Sequence, residues 1–118
     1  MSDLRDRTKQ FAVLIVEFFT QLPKTPEADV IGKQLLRSGT SIGAHYREAY
    51  RSRSSAEYIS KLEVGLQELE ETAYWLELLV ATRLASGDRT QALTTKINEL
   101  TAIFVTCVKS ARHHKRTA

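Results

Sequence analysis

The sequence predicts an all-α fold in which one antiparallel up-down-up-down four-helix bundle occupies residues 1–118, and three observations lead there. Apolar residues recur alternately three and four positions apart through four long segments, the spacing that lines up one face of a helix. The unpatterned stretches between them, Pro23 to Pro26, Arg51 to Ser54 and Ser86 to Asp88, are too short for a crossover, so consecutive helices are antiparallel neighbours. Five glycines and two prolines leave little turn material for an all-β fold. With 42% hydrophobic and 26% charged residues the composition is that of a globular domain, and a chain of this length buries roughly two-thirds of its unfolded surface.

The first helix is expected over about 3–22, with Leu4, Phe11, Ile15, Phe18 and Leu22 on one face. Its basic start, Arg5, Arg7 and Lys9, followed by the apolar run from Phe11 to Phe19, superficially matches a signal peptide. Glu17 breaks that run and no small-residue cleavage pattern precedes Pro23, which favours a buried helix and a cytoplasmic protein. No stretch reaches the ~20 apolar residues of a membrane span. Thr25, Pro26 and Glu27 supply an N-cap, a first-turn proline and an acidic residue for the dipole of a second helix over 26–50. Its stripe is Ala28, Ile31, Leu35, Ser38, Ile42, His45 and Ala49. Gly32, Gly39 and Gly43 each cost about 1 kcal/mol against alanine in a helix interior, which points to close backbone packing against a neighbour.

Ser54 and Glu57 have the spacing of a capping box and open a third helix over 55–85, with Ile59, Leu62, Leu66, Leu69, Ala73, Leu76 and Val80 as its stripe and Gly87 as its C-terminal cap. Asp88 and Gln91 repeat that capping spacing before a fourth helix over 89–112, which carries Leu93, Ile97, Leu100, Phe104, Cys107 and Ala111 and ends in a basic tail, 112–118.

This topology sorts the net charge of +3. One end of the bundle collects Arg5, Arg7, Lys9, Arg47, Arg51, Arg53, Lys109, Arg112, Lys115 and Arg116 against Asp3, Asp6, Glu48 and Glu57, an excess of six positive charges; the remainder of the chain carries an excess of three negative ones. Tyr46, Tyr50 and Tyr58 fall near that end and supply rings among the cations, a mixture that holds phosphates and stacks bases. Basic residues near the C-termini of the second and fourth helices also complement helix dipoles, but Arg5, Arg7 and Lys9 stand at an N-terminus, where the dipole disfavours them. The end reads either as an anion or nucleic-acid surface or as a merely solvated end; under the first reading the nucleic-acid-binding set is Arg47, Arg51 and Arg53, supported by Lys109, Arg112, Lys115 and Arg116.

Catalytic constellations are missing. None of His45, His113 and His114 follows a Glu by three residues, as a di-metal bundle requires, and no zinc spacing or phosphate loop occurs. Cys107, the single cysteine, reads as a core thiol, and Glu68, Glu70 and Glu71 as a solvated acidic face. No cofactor, metal or enzymatic activity is expected. Tyr58, Gly65, Thr72, Trp75 and Leu79 form an apolar flank beside the third-helix stripe; with Val13, Val16 and Phe19 they exceed what one small bundle needs inside, so Tyr58, Trp75, Leu79 and Phe19 are expected at an oligomer interface.

The stretch from Gln34 to Ala49 (QLLRSGTSIGAHYREA), followed by Ser55, Tyr58, Lys61 and Leu62 and then by Glu68 to Leu76 (ELEETAYWL), resembles the four-helix bundle protein family. Its members are known from open reading frames in intervening sequences of bacterial 23S ribosomal RNA genes and were formerly labelled S23 ribosomal proteins. His45 stands where that family usually has Asn. The resemblance implies a ring-shaped homopentamer, and the related accessory variability proteins of diversity-generating retroelements bind a reverse transcriptase and nucleic acid. Two functions are thus in view: an oligomeric RNA- or DNA-binding protein acting through the basic end, and a scaffold or accessory subunit whose partner is a protein such as a reverse transcriptase. An ion pair between Arg37 and Glu68, about equally far from the second turn, is also expected.

Overall fold

The computed structural model describes residues 3–117, with side chains as far as His114. Four helices follow one another, α1 (Leu4–Thr20), α2 (Pro26–Tyr50), α3 (Ser55–Ala81) and α4 (Gly87–Thr117), and there is no strand among the described residues. They lie side by side in a body of 53 × 23 × 21 Å.

Local chemistry accounts for the helix starts. Asp3 accepts from the Arg5 backbone N–H (2.9 Å), Thr25 from that of Ala28 (3.2 Å) and Ser54 from that of Glu57 (3.1 Å), so each hydroxyl or carboxylate satisfies an otherwise orphaned donor. The fourth start differs from expectation. Ser86, not Asp88, takes the Arg89 backbone N–H (3.2 Å), and Gly87 opens α4 instead of closing α3.

The helix ends differ more. α1 stops at Thr20, and a tightened turn (Leu22 N–H to Phe19 carbonyl, 3.2 Å) swings Leu22 into the core just before Pro23, whose ring disfavours helical geometry in the preceding residue. α3 stops at Ala81 rather than near residue 85. Arg83 adopts the left-handed conformation (φ 63°), its N–H bonds the Val80 carbonyl (3.0 Å) and the Leu84 N–H bonds that of Leu79 (2.9 Å). This is a Schellman cap built on arginine where glycine is usual, so the sequence carries no glycine to announce it. At the other extreme, the segment expected as a basic tail continues α4 as helix to Thr117.

Small residues set the helix spacing. A methyl group at Gly32 would lie 2.8 Å from Leu22 Cδ1, at Gly39 2.8 Å from Ile15 Cγ1, and at Gly43 3.1 Å from Thr8 Oγ1, so α1 rides directly on the α2 backbone. These partners run in opposite order along the two helices: 32 with 22, 39 with 15, 43 with 8. Between α2 and α3, the hydroxyls of Ser38 and Thr72 share a buried hydrogen bond of 2.9 Å. Between α3 and α4, Phe104 packs its ring onto Gly65. α4 also meets α1, along a thinner seam.

The α3 stripe is rotated from the expected one. Gly65, Thr72 and Leu79 are buried with Ile59, Leu62, Leu69 and Leu76, while Leu66, Ala73 and Val80 are only partly covered. Both sets advance in steps of three and four, so period alone does not separate them. The face with the small and hydroxylated residues wins because it admits Phe104 and pairs Thr72 with Ser38. On α4, Val108 takes the buried position expected of Cys107, which is half-buried.

Candidate nucleic-acid interface

The end of α1, α2, α3 and α4 that carries the basic residues is tied together by specific contacts. The Arg5 guanidinium lies 4.7 Å over the Tyr50 ring, joining the start of α1 to the end of α2. Lys61 pairs with Glu48 at 2.9 Å, joining α3 to α2, and Arg112 pairs with Glu63 at 2.6 Å, joining α4 to α3. Arg7 reaches Glu99 at 3.6 Å across the seam with α4.

These pairs divide the cations into two groups. Asp3 neutralises Arg5 through a 3.0 Å ion pair; its carboxyl is held below its ordinary value by the Arg5 backbone N–H, then by the guanidinium, with Arg47 adding a smaller electrostatic pull. Glu48 is likewise lowered by the hydrogen bond from Lys61. Arg5, Arg7, Lys61 and Arg112 are therefore partly compensated. By contrast Lys9, Arg47, Arg51, Arg53 and Lys109 are exposed and form no ion pair among the described residues. Three of these five sit on the last turn of α2 and the turn that follows it. Lys115 and Arg116 lie outside the residues whose side chains are described.

The three tyrosines separate by burial. Tyr46 is in the core, its ring 5.9 Å from that of Phe104, and burial raises its phenol above the ordinary value. Tyr58 is partly buried against Cys107; burial first and the thiol second push its phenol up to about 12. Tyr50 is 57% exposed.

Of the expected oligomer-interface residues, Leu79 is taken up within the chain, while Phe19, Tyr58 and Trp75 are each half-buried against a neighbour in the bundle. Leu79 is fully buried and cannot meet a second subunit; Phe19 packs against Gly32, and Tyr58 against Cys107. Trp75 is half-buried, its indole N–H donating to Glu71 at 2.9 Å. Apolar exposure lies elsewhere, at Val13 (48%) and Val16 (44%) on the outer face of α1, and at Val30 and Tyr74.

Arg37 bonds Glu68 at 3.3 Å, and it also pairs with Glu71. Glu71 thereby accepts from both Trp75 and Arg37, which lower its carboxyl in that order. Glu68 and Glu71 are thus bound into a cross-helix network rather than free on a solvated acidic face; Glu70 alone of the three is exposed. The spacing of Arg37 and Glu68 signalled half of this network, and the Glu71-x-x-x-Trp75 step on the same helix face was the available signal for the rest.

Residues 2–106 match the 23S rRNA-intervening sequence protein family. The chain belongs to that family. A crystal structure of a protein of unknown function from the S23 ribosomal protein family of Bacteroides thetaiotaomicron is 37% identical, with a TM-score of 0.85, the match covering 91% of this chain and 99% of that one. No curated protein matches. The family match ends at residue 106, so Lys109, Arg112, Lys115 and Arg116 lie beyond it, whereas Arg47, Arg51 and Arg53 lie within it.

Proposed function

We propose that this family member is a non-enzymatic, cytoplasmic nucleic-acid-binding protein, an up-down-up-down bundle that assembles into a ring-shaped homo-oligomer and holds RNA or DNA at its basic ends. The observation that carries the reading is the group of exposed cations without an ion pair at the end of α2, Arg47, Arg51 and Arg53, with Lys109 on α4 in the same state. Phosphates are what such a group recognises, because each contact releases condensed counterions whatever the base sequence. Opposite-order pairings of α1 with α2 and of α2 with α3 support the up-down order. The family's name, which ties it to ribosomal RNA genes, is consistent with nucleic acid as the partner.

Assembly rests on the exposed valines Val13 and Val16 of α1 and on Val30 and Tyr74, apolar surface of the sort that subunits cover. In a ring of five, single-site contacts act together, and multivalency raises a weak affinity. The same apolar surface favours a second reading, a scaffold or accessory subunit for a protein partner such as a reverse transcriptase. The combined variant Arg47→Gln, Arg51→Gln, Arg53→Gln separates the two: loss of RNA and DNA binding at moderate salt supports the first, and unchanged binding refutes it. Native mass spectrometry tests the assembly, which a monomer at micromolar concentration contradicts.

A further inference from the structure

One feature of the basic end is a ring rather than a charge. Tyr50 ends α2, immediately before Arg51, and its ring is more than half exposed although surrounded by groups that hold it in place. Behind it stands Tyr46, with ring centroids 6.4 Å apart and planes tilted by 44°, and behind Tyr46 stands Phe104 at 5.9 Å, in the floor of the core. In front lies the Arg5 guanidinium, 4.7 Å from the ring centroid, itself positioned by Asp3 through its Nε (3.1 Å) and its terminal nitrogen (3.0 Å). The ring is therefore anchored from the core outward, and a planar cation held by an exposed ion pair already lies over it, where a flat, electron-rich group can take the place of that cation.

We infer that Tyr50 is a stacking seat for an unpaired nucleobase, so that the basic end takes single-stranded rather than duplex nucleic acid. The inference rests on the nucleic-acid reading above and specifies the ligand for the same surface. A base lying on this ring places its 5′ and 3′ phosphates among Arg47, Arg51 and Arg53, which stand within one helical turn and one short loop of Tyr50. Arg5, drawn from the ring by the arriving phosphate, keeps its charge at the site. In a duplex each base face is covered by its neighbours, so the ring has nothing to stack on. Base-on-aromatic stacking is tolerant of sequence, so the seat selects strandedness rather than a particular base.

The test uses the full chain and three probes of equal length: a mixed-sequence single-stranded RNA, the same strand annealed to its complement, and a strand of the same phosphate backbone lacking bases. Tyr50→Ala weakens the single strand by about 5- to 150-fold, the range that a base stacked on an aromatic ring carries, and leaves the duplex and the abasic strand unchanged. Tyr50→Phe keeps wild-type affinity because the ring, not the hydroxyl, makes the contact. Unaltered thermal unfolding of both variants establishes that the fold is intact, as expected for an exposed ring. Equal loss on all three probes, or no loss on the single strand, overturns the inference. A wild-type protein that binds the abasic strand as tightly as the single-stranded RNA overturns the stacking seat while leaving the phosphate-binding surface standing; a wild-type protein that binds none of the probes removes both.

Discussion

Replacing Gly65 by alanine probes the tightest approach in the bundle, where α3 lets the Phe104 ring of α4 against its backbone. A methyl group there would sit 2.7 Å from Cε2 and 3.3 Å from Cδ2 of that ring. Ordinary carbon contact is about 3.5–4.0 Å, so the ring or the helix must retreat by about 1 Å. Phe104 is fully buried with Tyr46 behind it, which leaves the ring nowhere to swing. Overpacking of a filled core costs about 1–3 kcal/mol, and this rigid site belongs in the upper half of that range. Alanine recovers about 1 kcal/mol of helix propensity, so the net destabilisation is about 1–2 kcal/mol. At roughly 2.1 cal/mol/K per residue of unfolding entropy, this chain loses about 4 °C of Tm per kcal/mol, or about 4–8 °C in all. Gly87→Ala is the control: nothing lies within 4 Å of a methyl group there, and its Tm should hold or rise slightly. Thermal unfolding followed by circular dichroism, at one fixed protein concentration because the proposed assembly would couple to stability, measures both. Adding Phe104→Leu to Gly65→Ala should restore room, so that the double variant is less destabilised than the sum of its parts. A Gly65→Ala protein as stable as wild type, or strict additivity with Phe104→Leu, would refute the packing argument.

Two groups give the protein a defined pH response. Glu71 is held below its ordinary carboxyl value by the Trp75 indole and then by Arg37, so its contribution to stability is complete above about 4.5 and is lost as pH falls through the lower folded value. Trp75 is the only tryptophan, so its fluorescence should report this step, and Glu71→Gln should abolish the step. Tyr58 shows the opposite sign: its phenol is raised from 10.0 to about 12, so the stability it contributes is complete below pH 10 and is lost as pH rises through about 12. Absorbance of the phenolates against pH should lose its highest step in Tyr58→Phe.

Residues whose chemistry acts locally were legible in the sequence. Thr25 with Pro26, and Ser54 with Glu57, announce two helix starts through groups that reach only three residues. Gly32, Gly39 and Gly43 point to a close neighbour because glycine has no other use in a helix interior. Choices that depend on a partner helix were not legible. Gly65 and Thr72 look like gaps in an apolar stripe until Phe104 and Ser38 fill or pair with them, and Leu79, on the same side, looked free for a subunit contact when the bundle had already taken it. Arg83 in the left-handed region has no residue-type signal, so the end of α3 was placed too late, and Gly87 was given the wrong helix. At the basic end the set of cations could be read from topology. Which of them are neutralised could not: Arg112 meets Glu63 across 49 positions of chain, whereas Arg51 and Arg53 meet no carboxylate among the described residues. The three tyrosines looked equivalent, and only packing singles out Tyr50 as the exposed one.

The central claim is that exposed, uncompensated arginines at the end of α2 bind phosphates, and the salt dependence of binding tests it most directly. The logarithm of the association constant for a single-stranded RNA should fall linearly with the logarithm of salt concentration, and removing Arg47, Arg51 and Arg53 together should flatten that slope by about 2, at roughly 0.7 per single-strand phosphate contact. A slope that is the same in the wild-type protein and the triple variant, or binding that does not respond to salt, would contradict it.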